Sequence, residues 1–454
     1  MRNNPPPQPL SPSGRERAAN LFPVGEERAA NLFSVGGESA ANLSPFGFPF
    51  GGEVDERSSS GEGAQLRCSI ALAILLIAHP LLAQSKPVTF YYQNVPLWSQ
   101  ETELIESNLS DFNRFRAMSD PVWGNFSFRF AYEQIATLRQ NDTQGIFVGS
   151  VPSGGEWLDL QWTIAEKEHF LWQHRFDRLE IGWNPSRKFE LIVGRQAVSW
   201  ATTLFLTPAD PFTPFNPADP FREFRAGVDA VRARVSPGPL SEIDVVVRPT
   251  KNEHVGEELT TLGRGLTTWK TWEISGWGGS LYGDITGAFG AAGSLGSWAV
   301  RGESVVREID GDVFFRGTIG VDHQFRPYNR DLYFVMEYQH DGLASPSPEE
   351  YVALFQTDPF LRGELQVLGR NETAVQASYQ LHPLWTVAAL GLWNLNDGSF
   401  LVAPSIAHSL SNEASVNGGV FFGFGDDEAT PVTPLPSEYG AAGITVYVSV
   451  SLFF

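Results

Sequence analysis

The chain has 454 residues, of which 42% are hydrophobic and 13% aromatic, and a formal net charge of −20. That charge argues against nucleic acid as a partner, which demands a basic footprint, and no stretch after residue 85 has the ~18 consecutive apolar residues of a membrane helix. The length allows two or three soluble domains of about 150 residues or one all-β barrel, so the domain count has to come from architecture.

Residues 15 to 47 hold three tandem copies of an eleven-residue unit, RERAANLFPVG, EERAANLFSVG and GESAANLSPFG. Solenoid units are normally about 20 residues or longer, so residues 1–66 read as a disordered or spurious extension. Arg67, the apolar run Ser69 to Ala78 and the small residue Ala83 give the three regions of a secretory signal over residues 67–83, which places the true start of translation near Leu66. The single cysteine, Cys68, precedes the apolar run, whereas a lipidated cysteine would follow it. A chain cut after residue 83 holds no cysteine, and therefore no disulfide and no thiolate metal site.

Residues 84–120 are mixed and polar and read as a lead-in. From residue 121 to 454 the chain becomes a series of turn-bounded, two-period stripes, each the pattern of a strand with one apolar face. Phe126, Phe128, Phe130 and Tyr132 form the first, and Leu158, Leu160, Trp162 and Ile164 the second. Leu179, Ile181 and Trp183 lead through Asn184-Pro185-Ser186 to Phe189, Leu191 and Val193. Val231, Ala233 and Val235 precede a turn at Pro237-Gly238, and Ile243, Val245 and Val247 follow it. Further stripes continue around residues 279–290, 298–305, 313–321, 332–338, 373–379, 385–393, 400–407 and 416–422, with an unsettled segment near Trp269 to Ile274.

The last stripe decides what the others build. Ile444, Val446, Val448, Val450, Leu452 and Phe454 alternate with small or polar residues to the end of the sequence. About ten such residues suffice for a tilted strand to cross a membrane, and a spanning strand needs every backbone group paired in a closed cylinder. The expected fold is all-β, a closed antiparallel transmembrane β-barrel of about 14–18 strands with sixteen as the best count, wide enough for an aqueous lumen.

The stretch from Gly194 to Val235 stands apart. Pro208, Pro211, Pro214, Pro217 and Pro220 fall at every third position. Proline removes ladder donors, so residues 206–222 cannot form a central strand and instead take an extended path with tight corners. Phe205, Phe212, Phe215, Phe221 and Phe224 require burial. Either the segment folds into the barrel as a constriction or it packs outside on its neighbours. Arg195, Arg222, Arg225, Arg232 and Arg234 lie close by in sequence. With Val231, Ala233 and Val235 toward lipid, Arg232 and Arg234 face the lumen. There they either offer forked hydrogen bonds to anions or pair with Asp210, Asp219, Glu223 and Asp229 to stiffen the loop.

Gly-Arg-Gln, then Ser-Trp, then Asn-Pro-Ala-Asp-Pro and Arg225-x-Gly227-x-Asp229 resemble the porin-like bacterial outer-membrane barrels, among them alginate-export-type barrels. The aromatic-ended last strand is similar to the closing strand of such barrels. That resemblance implies a Gram-negative outer-membrane location, a periplasmic position for the lead-in, and a terminal Phe454 read by the barrel-insertion machinery. It implies a porin-like channel for passive passage of small hydrophilic solutes or ions, with an export conduit for an acidic polysaccharide, or a non-conducting adhesin or rim enzyme, as alternatives. The acidic overall charge departs from the export family. The constriction candidates are Arg195, Asp210, Asp219, Arg222, Arg225, Asp229, Arg232 and Arg234.

No HExxH, GxSxG or P-loop occurs in the sequence. His169 and His174 lie near Glu166, Glu168 and Asp177, but five-residue spacing on a strand sends the two imidazoles to opposite faces. They read as polar residues of a turn, and the expectation is no enzyme, no metal and no cofactor.

Overall fold

A computed structural model describes residues 88–104, 106–141, 155–212, 221 and 223–454. Among them run twenty strands: β1 (Thr89–Ser99), β2 (Asn108–Ser119), β3 (Val122–Trp123), β4 (Phe126–Arg139), β5 (Gln161–Lys167), β6 (Phe170–Ser186), β7 (Phe189–Gln196), β8 (Val228–Gly238), β9 (Ser241–Asn252) and β10 (Gly256–Trp269). The series continues with β11 (Trp272–Leu281), β12 (Asp284–Leu295), β13 (Trp298–Ile309), β14 (Asp312–Phe325), β15 (Leu332–Asp341), β16 (Asn371–His382), β17 (Trp385–Asn394), β18 (Phe400–Ser409), β19 (Ala414–Phe424) and β20 (Ile444–Phe453). Two short helices, α1 (Tyr351–Leu354) and α2 (Asp358–Leu361), sit between β15 and β16.

Each strand pairs antiparallel with its neighbours, and β20 returns to β1 with Tyr91 opposite Phe453 and Ser99 opposite Thr445. The ring is therefore closed, which leaves no edge with unpaired backbone groups. β3 pairs only with β4, and β5 only with β6, so eighteen strands form the ring. Eighteen, not sixteen, is the count, at the upper end of the expected range. The difference lies largely in residues 84–120, which are no lead-in: β1 and β2 pair along their whole length, from Thr89–Met118 to Ser99–Asn108. β10 also departs from the alternating pattern, because its outward positions include Gly263, Gly265 and the threonines between which no apolar stripe shows. The unsettled stretch near Trp269 is a hairpin, with Trp269 opposite Trp272. The repeat, the signal segment and Cys68 lie outside the described residues.

Burial follows the two-residue period. On β9, Ile243 and Val245 are exposed while Asp244 and Val246 are buried; on β20, Val446 and Val448 are exposed while Thr445, Tyr447 and Ser449 are buried. The barrel is thus apolar outside and largely polar or filled inside. Exposed aromatics gather near the two strand ends, with Trp123, Trp183, Trp269, Trp298 and Trp385 at one and Trp98, Trp393, Phe400 and Phe424 at the other. Tight turns such as Tyr282-Gly283 and Asp310-Gly311 place both residues at positive φ, 53° and 94° in the first and 54° and 91° in the second. This is the hairpin geometry that matches strand twist and that glycine adopts without steric cost. One barrel end has turns and short connections throughout, together with both strand termini. The other carries the long connections 140–160, 197–227, 342–370 and 425–443.

Candidate functional site: the loop-filled lumen

Connection 197–227 turns inward as β7 ends at Gln196. Its first limb is held by side chains projecting inward from β9, β11, β13 and β15. The Trp200 indole N–H donates to Asp244 Oδ2 on β9 at 3.0 Å, and its ring meets Phe212 edge-on and Trp277 at a tilt. Glu303 on β13 accepts three backbone N–H groups, from Thr202 at 2.7 Å, Thr203 at 3.1 Å and Ala209 at 2.9 Å. Glu337 on β15 accepts three more, from Leu204 at 2.6 Å, Phe205 at 2.9 Å and Leu206 at 2.9 Å. A loop crossing a barrel has no ladder partner for its amides, and a buried unpaired N–H is costly; these two carboxylates supply the acceptors.

The carbonyls are held by wall donors. Trp277 Nε1 donates to Ala209 O at 3.1 Å, and Arg248 Nη1 to Phe212 O at 3.0 Å. On the opposite wall Phe221, only 2% exposed, packs edge-on against Tyr447 of β20 with ring centres 4.6 Å apart. Arg114 of β2 reaches Phe221 O, and Phe224 lies against Tyr91 with the Arg116 guanidinium 4.2 Å from its ring centre. Gly227 N donates to Asp177 Oδ1 of β6 before the chain enters β8. The segment therefore meets β9, β11, β13 and β15 on one side and β20, β1, β2 and β6 on the other.

The charged candidates take definite partners. Asp210 accepts from Arg225 Nη1 at 2.6 Å and Ser199 Oγ at 2.8 Å. Arg195 pairs with Asp229 through two bonds of 2.9 Å and with Glu156 at 3.1 Å, at the seam beside the end of β7. Arg232 forks onto Asp244, and Arg234 pairs with Glu190. Arg195, Arg232 and Arg234 each pair with a carboxylate on the adjoining strand and not with Asp210. Of the four acids offered as partners, Asp210 takes Arg225 and Asp229 takes Arg195. Asp219, Arg222 and Phe215 lie outside the described residues. His169 is exposed in the β5–β6 turn and His174 is on β6, and no metal-holding group of three or more His, Cys, Asp or Glu occurs among the described residues.

Sequence reasoning missed Glu303, Glu337, Asp244, Arg114 and Arg248. The signal available was parity: each is a charged residue in step with buried inward neighbours, Val305 for Glu303, Val335 for Glu337, Val246 for Asp244 and Arg248, and Phe112 for Arg114.

Connections 342–370 and 425–443 add to the filling. Tyr351, Leu354, Phe355, Phe360 and Leu365 of 342–370 pack with Leu435 and Ala441 of 425–443 in one buried cluster. Gln366 ties this unit to the first loop, accepting from Thr207 N at 2.6 Å and donating to Phe205 O at 2.8 Å. Glu438 accepts from Leu368 N, Gly369 N and Asn394 Nδ2, at 2.8, 3.1 and 2.8 Å. Asp397 accepts from Tyr351 Oη and Glu438 N, both at 2.8 Å. Burial pushes the Glu438 carboxyl up to about 7, with Asp397's charge adding to it and the Leu368 amide opposing it.

No protein-family model matches this chain, and no curated protein does. Among solved structures it is similar to Acinetobacter baumannii OccAB1, with 8% identity over 82% of this chain and 98% of that one and a TM-score of 0.49. A BenF-like porin from Pseudomonas fluorescens Pf-5 gives 10%, 81%, 98% and 0.49, and Pseudomonas putida OprB at low pH gives 9%, 87%, 98% and 0.41. These are likenesses of shape, and the closed ring rests on the strand register given above.

Proposed function

We propose that the chain is a bacterial outer-membrane channel for passive passage of small hydrophilic solutes, with connection 197–227 as its constriction. One observation carries this reading: a proline-rich segment enters an eighteen-stranded ring and is fastened to opposite walls through Glu303 and Glu337 on one side and Phe221 with Arg114 on the other. A ring of this size leaves an aqueous lumen unless something fills it, and a fixed inward loop narrows it without closing the barrel wall. The apolar exterior with aromatics at both ends supports a membrane location. Phe454, whose N–H and carbonyl bond to Phe90 at the ring closure, is the candidate insertion signal.

Asp210, Arg225, Asp229, Arg195, Arg232 and Arg234 line or support the narrow region, with Asp219 and Arg222 in the same stretch of chain. In a low-dielectric site each guanidinium is best held by a carboxylate already beside it, and the pairs above do that. An acidic polymer would have to break such pairs, so small solutes fit the lumen better. Purified protein in a planar bilayer should give discrete conductance steps; a bilayer that stays silent at high protein load would overturn the channel in favour of a non-conducting surface barrel.

A further inference from the structure

The outward positions are apolar on most strands, but amides interrupt them near the middle of β1, β2 and β4. On β1 the side chains of Tyr91, Gln93, Val95 and Leu97 are buried toward the lumen, so Tyr92, Asn94, Pro96 and Trp98 point outward. On β2, Phe112, Arg114 and Arg116 point in, which turns Asp111, Asn113 and Phe115 out. Arg116 meets Glu133 inside, so Gln134 beside it on β4 also faces out. Asn94 is the sixth of eleven residues in β1 and lies directly opposite Asn113, itself in the middle of β2. Amides thus occupy the middle of the wall, where β20 presents Val448 and Val450, β9 Val245 and Val247, and β14 Ile319.

These polar groups bond to one another but not fully. Asn94 Nδ2 donates to Asp111 Oδ1 at 2.6 Å and Asn113 Oδ1 at 3.0 Å, and Tyr92 Oη donates to Asn113 Oδ1 at 2.8 Å. Asn113 Nδ2, Asn94 Oδ1 and Gln134 Oε1 are left without a partner among the described residues. Lipid acyl chains offer neither donor nor acceptor, so such groups at mid-membrane call for a protein surface over them.

We propose that this face is the docking surface for a second copy of the chain. The inference rests on the membrane-barrel reading above. An amide is donor and acceptor at once, so a patch of amides is complementary to itself when a symmetry axis brings two copies together. Asp111 is the only charged side chain among the outward positions of β1 and β2, and it is held by Asn94, so the patch selects its partner by amide pairing and not by charge.

The test measures the mass of the full-length protein extracted from membranes in mild detergent, by light scattering corrected for bound detergent. Wild type should run as two or more copies. The combined Asn94→Leu, Asn113→Leu, Gln134→Leu variant should run as one, and Phe289→Leu, on the outward face of β12 across the ring, should keep the wild-type mass. Heat-modifiable migration confirms folding of each variant, and Asn113→Leu alone, expected to lose most of the multimer, serves if the triple variant does not fold. Wild type at the mass of one chain, or leucine variants that keep the full multimer, would overturn the docking proposal while leaving the channel intact. Wild type that never enters the membrane fraction would overturn the membrane reading and the docking proposal together.

Discussion

Glu337 offers the sharpest single-residue test of how the inward loop is held. Its two oxygens accept the consecutive N–H groups of Leu204, Phe205 and Leu206. Replacing it with Ala leaves all three donors without their acceptor in a region where Leu206 is fully buried. Each orphaned donor costs about 1–3 kcal/mol when water cannot reach it. Partial rehydration as the loop lifts makes a combined loss of roughly 3–5 kcal/mol the expected scale. Glu337→Gln keeps one good acceptor and opposes an NH2 to one amide, so it should lose about 1–2 kcal/mol. Because the barrel wall does not depend on this side chain, the loss should fall on the loop: protease cleavage within 197–227 should accelerate strongly for Ala and modestly for Gln, with larger and noisier conductance steps in the same order. An Ala variant whose loop is as protease-resistant as wild type and whose steps are unchanged would refute the reasoning.

Three further outcomes follow from the partner assignments. Glu438 has a folded pKa raised to about 7 above an ordinary unfolded value near 4.5, so the stability that it contributes is fully present below about 4.5 and is lost as pH rises through about 7. Protection of 425–443 against proteolysis should therefore decline between pH 5 and 8, by a few kcal/mol of opening free energy, and Glu438→Gln should flatten that decline. Arg232→Ala leaves Asp244 buried with one partner fewer and should cost about 3–5 kcal/mol in denaturant unfolding from micelles, whereas Arg234→Ala, whose pair with Glu190 is about a quarter exposed, should cost under about 1 kcal/mol. Phe221→Ala empties the contact with Tyr447 and should cost about 3–5 kcal/mol at the second anchor, visible as faster cleavage between residues 221 and 227.

The barrel itself was legible because lipid-facing strands must alternate: β20, β9 and β14 write their outward face in valine, isoleucine and phenylalanine. β1 and β2 broke that rule with Asn94, Asp111 and Asn113 facing out, and β10 broke it with glycines, so period-two reading passed over them. The inward course of 197–227 was half legible. Five prolines ruled out a strand and its phenylalanines demanded burial, but nothing local in the sequence named Glu303 and Glu337, 94 to 133 residues away, as the acceptors. Pairing of Arg232 with Asp244 depends on the β8–β9 register, which places Asp244 opposite Arg234 and diagonal to Arg232; a turn at Pro237-Gly238 would instead have set Ser241 opposite Arg234.

The central claim is that a barrel of this width is narrowed by its own 197–227 connection. Single-channel recording of wild type beside a chain lacking residues 208–220 tests it most directly. The account predicts discrete steps for wild type and steps several-fold larger for the deletion, with heat-modifiable migration retained in both. Equal steps from two folded proteins would place the segment outside the conducting path and contradict the account.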